Sequence, residues 1–316
     1  MAHERAAGSR VDEATGTPTV GHEWDGIEEL DTPMPRWWLW TFYLTIFWSL
    51  VYVILFPAWP LIERATAGVL GWSSRGELAE ELSLTDQAQR SVRERIAATD
   101  LNKLVADPAL FQQAVAGGAA AFRVNCVQCH GSGAAGSQTL GYPNLNDDDW
   151  LWGGTLDQIH YSIERGIRQP AHNEQRQSLM PTFAGAIEGQ QLDALVAQVM
   201  SLSGKGQANA VGAQLYADNC AVCHGPAGEG NRTVGAPRLN DAIWLRGGTP
   251  ADVHAQILAP KMGAMPNWGG RLDPVTIKML TAYVYSLGGA EKTVIASNGP
   301  TPADASSAKG GSNARP

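Results

Sequence analysis

Charge disappears from the chain for 26 positions, residues 37–62, between Arg36 and Glu63. Residues 37–56 alone give twenty uncharged positions, which as a helix rising about 1.5 Å per residue cross a hydrocarbon layer of roughly 30 Å. Trp37, Trp38 and Trp40 stand at one end and Trp59 at the other, as rings at the two membrane interfaces would. Pro57 and Pro60 suit the end of the span. A cleaved signal peptide is the competing reading, with Ala65-Thr66-Ala67 as a faint cleavage site. A signal peptide opens on a short basic region, however, whereas 36 residues precede this span with three Lys/Arg against eight Asp/Glu. The pattern predicts one uncleaved membrane-spanning helix.

Beyond the span the pattern changes period. Residues 76–105 are charged with interspersed Leu, Val and Ile, which predicts one or two exposed linking helices. Residues 109–125 place apolar side chains at helical spacing, and residues 156–163 and 253–258 read as short helices. Residues 192–202 and 275–287 predict two closing helices, the first with an apolar face of Leu192, Leu195, Val196 and Val199. Residues 297–316 are rich in Ser, Gly, Ala and Pro without periodicity and predict disorder. The expected organisation is all-α: an N-terminal segment (1–36), the span (37–60), a helical linker (61–107), two successive domains (108–204 and 205–290) and a tail (291–316).

The two domains are expected because the chain repeats itself. Residues 125–163 match 219–257 at a constant offset of 94: Asn125 falls on Asn219, Pro143 on Pro237, Trp150-Leu151 on Trp244-Leu245, and Gly153-Gly154-Thr155 on Gly247-Gly248-Thr249. Further on the offset is 85, so Met180-Pro181 falls on Met265-Pro266, Phe183 on Trp268 and Leu195 on Leu280. One nine-residue gap explains both registers. Two such units make tandem domains and not a solenoid, which needs three or more.

Each repeat carries Cys-X-X-Cys-His: Cys126, Cys129 and His130 in the first, Cys220, Cys223 and His224 in the second. This spacing marks covalent haem c attachment, the two thiols adding to the haem vinyl groups and the adjacent His ligating iron. These are the chain's four cysteines, so none remains for a disulfide. A zinc site would need a fourth nearby ligand, twice over. The chain reads as a dihaem cytochrome c. For the sixth ligand a thioether is soft enough to favour ferrous iron. The 85-residue register pairs Met180 with Met265, whereas Met262 would pair with Gln177, which leaves Met262 a gap-filling or surface role.

Other marked residues take blander readings. His160 and His254 repeat but sit in the short helices and read as packing or surface residues; His22 and His172 have no counterpart in the repeat. Trp150 and Trp244 either reach a haem propionate through the indole N–H or simply support the pocket. Arg168 is a candidate propionate partner, with solvation as its default. The glycine pairs mark tight turns where backbone runs close to something bulky. With fewer than about 100 residues, each haem domain needs the cofactor to fill its core.

The formal net charge is −8. The first 36 residues contribute −5, while residues 108–290 hold eleven Lys/Arg against thirteen Asp/Glu. Bulk charge therefore steers no partner to the haem region, and nucleic acid is excluded. Lys/Arg counts beside the span are low on both sides, so orientation rests on haem c being attached outside the bacterial cytoplasm. That puts the C-terminal region in the periplasm.

The stretch His22-Glu23-Trp24-Asp25-Gly26-Ile27, continuing through Glu28-Glu29-Leu30-Asp31-Thr32-Pro33-Met34-Pro35-Arg36 to Trp37-Trp38, resembles the N-terminus of the dihaem subunit (subunit III) of cbb3-type cytochrome c oxidases. Joined to an anchor and tandem haem motifs, the resemblance covers about residues 22–290. It implies two class I cytochrome c domains on a single-pass anchor in the bacterial inner membrane. It also implies electron flow from a cytochrome c donor through these haems to a monohaem subunit and then to a copper–haem catalytic subunit, which reduces oxygen and pumps protons. Some members carry an extra helix before the motif, which this chain lacks. The competing readings are a free-standing carrier for a dehydrogenase or quinol-oxidising complex, and a gas sensor or peroxidase with an open iron position.

Overall fold

The computed structural model describes residues 10–169 and 175–291. The expected tail falls almost wholly outside these residues, as does His172. Two compact units divide the chain, residues 1–88 and 89–316.

In the first unit β1 (Thr19–Trp24) and β2 (Ile27–Leu30) pair antiparallel, with Trp24 opposite Ile27 and Glu23 opposite Glu28. Asp25 and Gly26 turn the hairpin at φ 49° and 87°, the left-handed values a two-residue turn needs and an Asp-Gly pair tolerates. Arg10 clasps the carboxylate of Glu28 at 2.9 Å. The predicted span follows as α1 (Arg36–Leu55), twenty residues with none buried and long and apolar enough to cross a membrane. Its Thr and Ser hydroxyls are satisfied internally: Thr41 donates to the Trp37 carbonyl, Thr45 to Phe42 and Ser49 to Thr45. Lipid offers such groups no alternative partner. The returning loop caps the helix end, with Val69 and Leu70 N–H groups donating to the carbonyls of Ile54 and Leu55. Gly68, at φ 70°, allows that approach, since a Cβ there would sit 2.5 Å from the Leu55 oxygen.

Helices α2 (Ser74–Ala98) and α3 (Leu101–Ala106) come next. The first repeat contributes α4 (Pro108–Asn125), α5 (Val127–His130), α6 (Leu156–Arg165) and α7 (Gly189–Leu202). The second contributes α8 (Ala210–Asn219), α9 (Ala221–His224), α10 (Pro250–Leu258) and α11 (Pro274–Ser286). Their starts follow from capping. Asp107, Asn209 and Asp273 accept backbone N–H groups at the heads of α4, α8 and α11. Thr155 with Gln158, and Thr249 with Asp252, form reciprocal capping boxes on α6 and α10.

The cores draw their elements from both repeats. Phe122, Ile159 and Ile163 of the first repeat pack with Ile277, Leu280 and Val284 of the second. Leu192, Leu195, Val196 and Val199 of α7 pack with Tyr216, Val253 and Ile257 of the second repeat. Each closing helix thus lies on the other repeat. The crossings are close because Gly118 and Gly212, 94 residues apart, stand at the two contacts: a Cβ on Gly118 would meet the Met279 oxygen at 2.0 Å, and one on Gly212 the Ala194 oxygen at 2.1 Å. A third core joins Ile96 and Leu104 to Leu110, Ala114 and Met279.

Candidate haem attachment sites

Each Cys-X-X-Cys-His motif is a single helical turn ending a longer helix. His130 and Cys129 N–H groups donate to the Cys126 carbonyl at 2.9 and 3.2 Å; His224 and Cys223 repeat this with Cys220 at 2.9 and 3.1 Å. Gly131 and Gly225, at φ 77° and 80°, end the turns. The four thiols are free of disulfides. Burial pushes the Cys126 and Cys220 thiols up to about 11 before any attachment. Among the described residues no group of three or more His, Cys, Asp and Glu side chains converges on a metal position.

Both histidines are oriented alike. His130 Nδ1 lies 3.2 Å from the Pro143 carbonyl, and His224 Nδ1 lies 2.9 Å from the Pro237 carbonyl. A carbonyl accepts only, so Nδ1 carries the proton and Nε2 keeps its lone pair for a metal. Burial lowers both histidine pKa values, with the prolyl carbonyls opposing, which favours the neutral, ligating imidazole.

The methionines cross between repeats. Met265 lines the same cavity as Cys126 and His130, along with Phe122, Ile163 and Leu280. Its backbone pairs with Ile167 in both directions, at 2.9 and 3.0 Å. Met180 packs on the core that holds Cys220, Tyr216 and Ile257. The crossing is symmetric: Trp268 N–H donates to the Ile163 carbonyl and Phe183 N–H to the Ile257 carbonyl, each at 3.2 Å. Met262 is outside the cavity lining, and its thioether accepts from the Met180 N–H at 3.3 Å. The apolar cavity, with imidazole and thioether both on its wall, fits a haem group whose iron His130 and Met265 would hold.

The other marked residues separate. His160 is half-buried on α6, where desolvation lowers its pKa. His254 is half-buried on α10 and His22 is exposed on β1. Trp150 is tied down, its Nε1–H donating to the Gly289 carbonyl at 2.8 Å, whereas Trp244 Nε1 is buried without a partner. The glycine pairs make room as expected: Cβ atoms on Gly154 and Gly248 would stand 2.5 Å from the rings of Trp150 and Trp244. Arg168 donates to the Ser178 and Gly263 carbonyls at 2.8 and 2.9 Å, tying together the two methionine-bearing segments.

Trp152, Arg176 and Arg246 carry no periodic signal, and sequence reasoning passed over them. Trp152 lines the His130 cavity with its Nε1 buried and unpartnered; Arg176 and Arg246 also bury an unpartnered Nε. The one clue in the sequence is that Trp152 falls on Arg246 at the offset of 94, a mismatch inside an otherwise matching stretch.

The chain is similar in sequence to known proteins over most of its length. Residues 16–63 match the family described as the N-terminal domain of cytochrome oxidase-cbb3, FixP. Residues 113–198 and 207–284 match the family described as cytochrome c oxidase, cbb3-type, subunit III. The chain is 50% identical over 279 residues to the cbb3-type cytochrome c oxidase subunit CcoP of Cereibacter sphaeroides, covering 87% of this chain and 96% of that protein. It is 49% identical over 284 residues to subunit FixP of Rhizobium meliloti, covering 89% and 98%. Subunit FixP of Bradyrhizobium diazoefficiens is 46% identical over 287 residues, covering 89% and 98%.

Proposed function

This chain belongs to the family of subunit III of cbb3-type cytochrome c oxidases, and from that premise we propose that it holds two covalently attached haems c and passes electrons from a cytochrome c donor toward the oxygen-reducing subunit. Cys126, Cys129, His130 and Met265 hold one group; Cys220, Cys223, His224 and Met180 hold the other. The observation that carries the pairing is the cavity shared by His130 and Met265, a methionine from the opposite repeat.

Haem supplies a one-electron ferric/ferrous couple. The chain's residues tune and insulate it. Pro143 and Pro237 keep each Nδ1 protonated, which would leave each Nε2 lone pair to hold the metal. Phe122, Leu280 and Val284 exclude water from the first site, and thioether ligation favours the ferrous state. A histidine and a methionine holding each iron would leave no place for oxygen, which would assign oxygen reduction to another subunit. The helix Arg36–Leu55 anchors the chain, with the haem region on the periplasmic side and the N-terminal segment in the cytoplasm.

Purification from native membranes in mild detergent tests this reading. The chain is expected to arrive with the copper–haem catalytic subunit and a monohaem cytochrome c, carrying two haems that stay on the polypeptide in denaturing gels. Recovery alone, with undiminished oxidase activity in its absence, would favour a free-standing carrier.

A further inference from the structure

Half-buried cations without carboxylate partners among the described residues gather at the seam between the repeats. The Arg176 and Arg168 guanidinium carbons lie 5.4 and 5.8 Å from the centre of the Trp152 ring. Burial lowers the pKa of both, and for Arg168 the charge of Arg246 adds to the effect. Among the described residues none of Arg168, Arg176 and Arg246 forms an ion pair; Arg168 donates to the carbonyls of Ser178 and Gly263, and Arg176 to that of Gln158. Trp152 is 6% exposed and its Nε1 has no acceptor, and the Nε atoms of Arg176 and Arg246 have none either. Leaving such donors unmatched costs about 1–3 kcal/mol each, more for charged groups. Two cations with unused buried donors and a third cation beside them, next to an indole N–H on a cavity wall, favour an anion.

The position says which anion. Trp152 lines the cavity of Cys126 and His130, and its ring lies where a Cβ on Gly235 of the second repeat would strike it at 2.2 Å. Arg246 stands in the mirror position, against Gly141 of the first repeat. We propose that Trp152, Arg168, Arg176 and Arg246 form a propionate-binding cluster for the haem attached at Cys126 and Cys129. The haem carboxylates accept from the indole N–H and the free guanidinium donors, which directs that haem's propionate edge to the seam facing the second repeat. Pairing with cations keeps the propionates ionised but neutralised, which holds the potential of this haem up and makes it insensitive to pH near neutrality. The inference rests on the two-haem reading and adds to it the residues that set one haem's orientation and potential.

The test uses the full-length chain with its haems attached, titrated spectroelectrochemically from about pH 6 to 8, with resonance Raman spectra of the propionate bending modes. Haem content is measured first, and a wild-type value below two per chain would sink the two-haem reading separately. Trp152→Phe keeps the ring and removes only the N–H; Arg176→Gln removes a charge; Arg176→Lys restores it. With both haems retained, Trp152→Phe and Arg176→Gln are expected to shift one propionate mode. They should also lower one haem's potential by about a tenfold change in redox equilibrium, 59 mV for one electron, and introduce a pH dependence that Arg176→Lys largely removes. Unchanged propionate modes and potentials in both variants would overturn the cluster. Should the variants lose haem, the wild-type titration decides: the proposal stands if one haem is pH-independent over that range, and falls if both potentials drop with rising pH.

Discussion

Leu280 belongs to the second repeat in sequence, yet its side chain, 1% exposed, lies in the core with Phe122, Ile159 and Cys126 of the first. Leu280→Ala removes three buried carbons, about 2.4 kcal/mol of transfer free energy at ~0.8 per carbon. A residual cavity brings the total to about 3–5 kcal/mol. For a unit of this size each kcal/mol lowers the melting midpoint by roughly 2–4 °C, so a fall of about 6–20 °C is expected. The damage should fall on one haem and be crossed: the thioether–iron band of the haem attached at Cys126 and Cys129 is lost first in a urea titration, while that of the haem at Cys220 and Cys223 persists. Leu195→Ala, whose side chain is 0% exposed in the other core, should reverse the assignment. Chains retaining one motif (Cys220→Ala/Cys223→Ala, or Cys126→Ala/Cys129→Ala), titrated in parallel, identify each band. If Leu280→Ala weakens the Cys220/Cys223 haem instead, the exchanged packing is wrong.

Further outcomes follow from the same geometry. In the chain keeping only the first motif, Met265→Leu should abolish the thioether–iron band and lower the potential, while Met180→Leu and Met262→Leu leave the band in place; optical spectra and redox titration check this. Gly118→Ala should destabilise by at least about 1–3 kcal/mol, because its Cβ would strike the Met279 backbone, with Gly212→Ala doing the same at the other crossing; denaturant midpoints measure both. Asp149 is pushed up to about 6, by burial first and then by Asp241, Asp147 and Asp148 against the pull of Arg238. The folded state therefore binds its proton more tightly than the unfolded state, and stability falls as pH rises through about 4 to 6. Asp149→Asn should remove that part of the slope and raise the melting midpoint at pH 7 more than at pH 4. Exchanging residues 22–60 for an unrelated single-pass anchor should leave both haems attached but reduce co-purification of the catalytic subunit, since helix contacts in lipid depend on shape and polar pairing.

The attachment motifs, the span and the repeat were legible because each is a local or fixed-offset pattern. The apolar face of Leu192, Leu195, Val196 and Val199 was legible as a face and is buried as one. What the pattern does not carry is its partner, since two related repeats offer two similar grooves. Chain connection decides: residues 203–209 are too few to carry α7 far from α8, and the two helices pack as sequential neighbours usually do. The groove on α4 and α6 is then filled by α11. The hairpin has a strong turn signal in Asp25-Gly26 between Trp24 and Ile27, but its strands are short and acidic and lack the apolar alternation that marks a strand. Trp152, Arg176 and Arg246 were missed because a buried donor without an acceptor is a property of packing, and no spacing announces it.

The exchange of closing helices has a consequence for electron transfer. Two domains joined only by a linker would meet through a modest, polar interface and move relative to one another by default. Here α11 is covalently continuous with the second motif but forms the wall of the first cavity, and α7 does the converse. Each site is walled by a helix continuous with the other motif, and Arg168 ties the two methionine segments at the seam. The separation of the two sites is then fixed by helix packing and not by a weak domain contact. A carrier that must hand an electron from one site to the next gains from that constraint, because transfer depends steeply on distance. Stiffness of the seam should therefore appear as concerted unfolding of both sites in wild-type protein. A variant such as Gly212→Ala, which loosens one crossing, should slow electron exchange between the haems before either haem loses its thioether ligand.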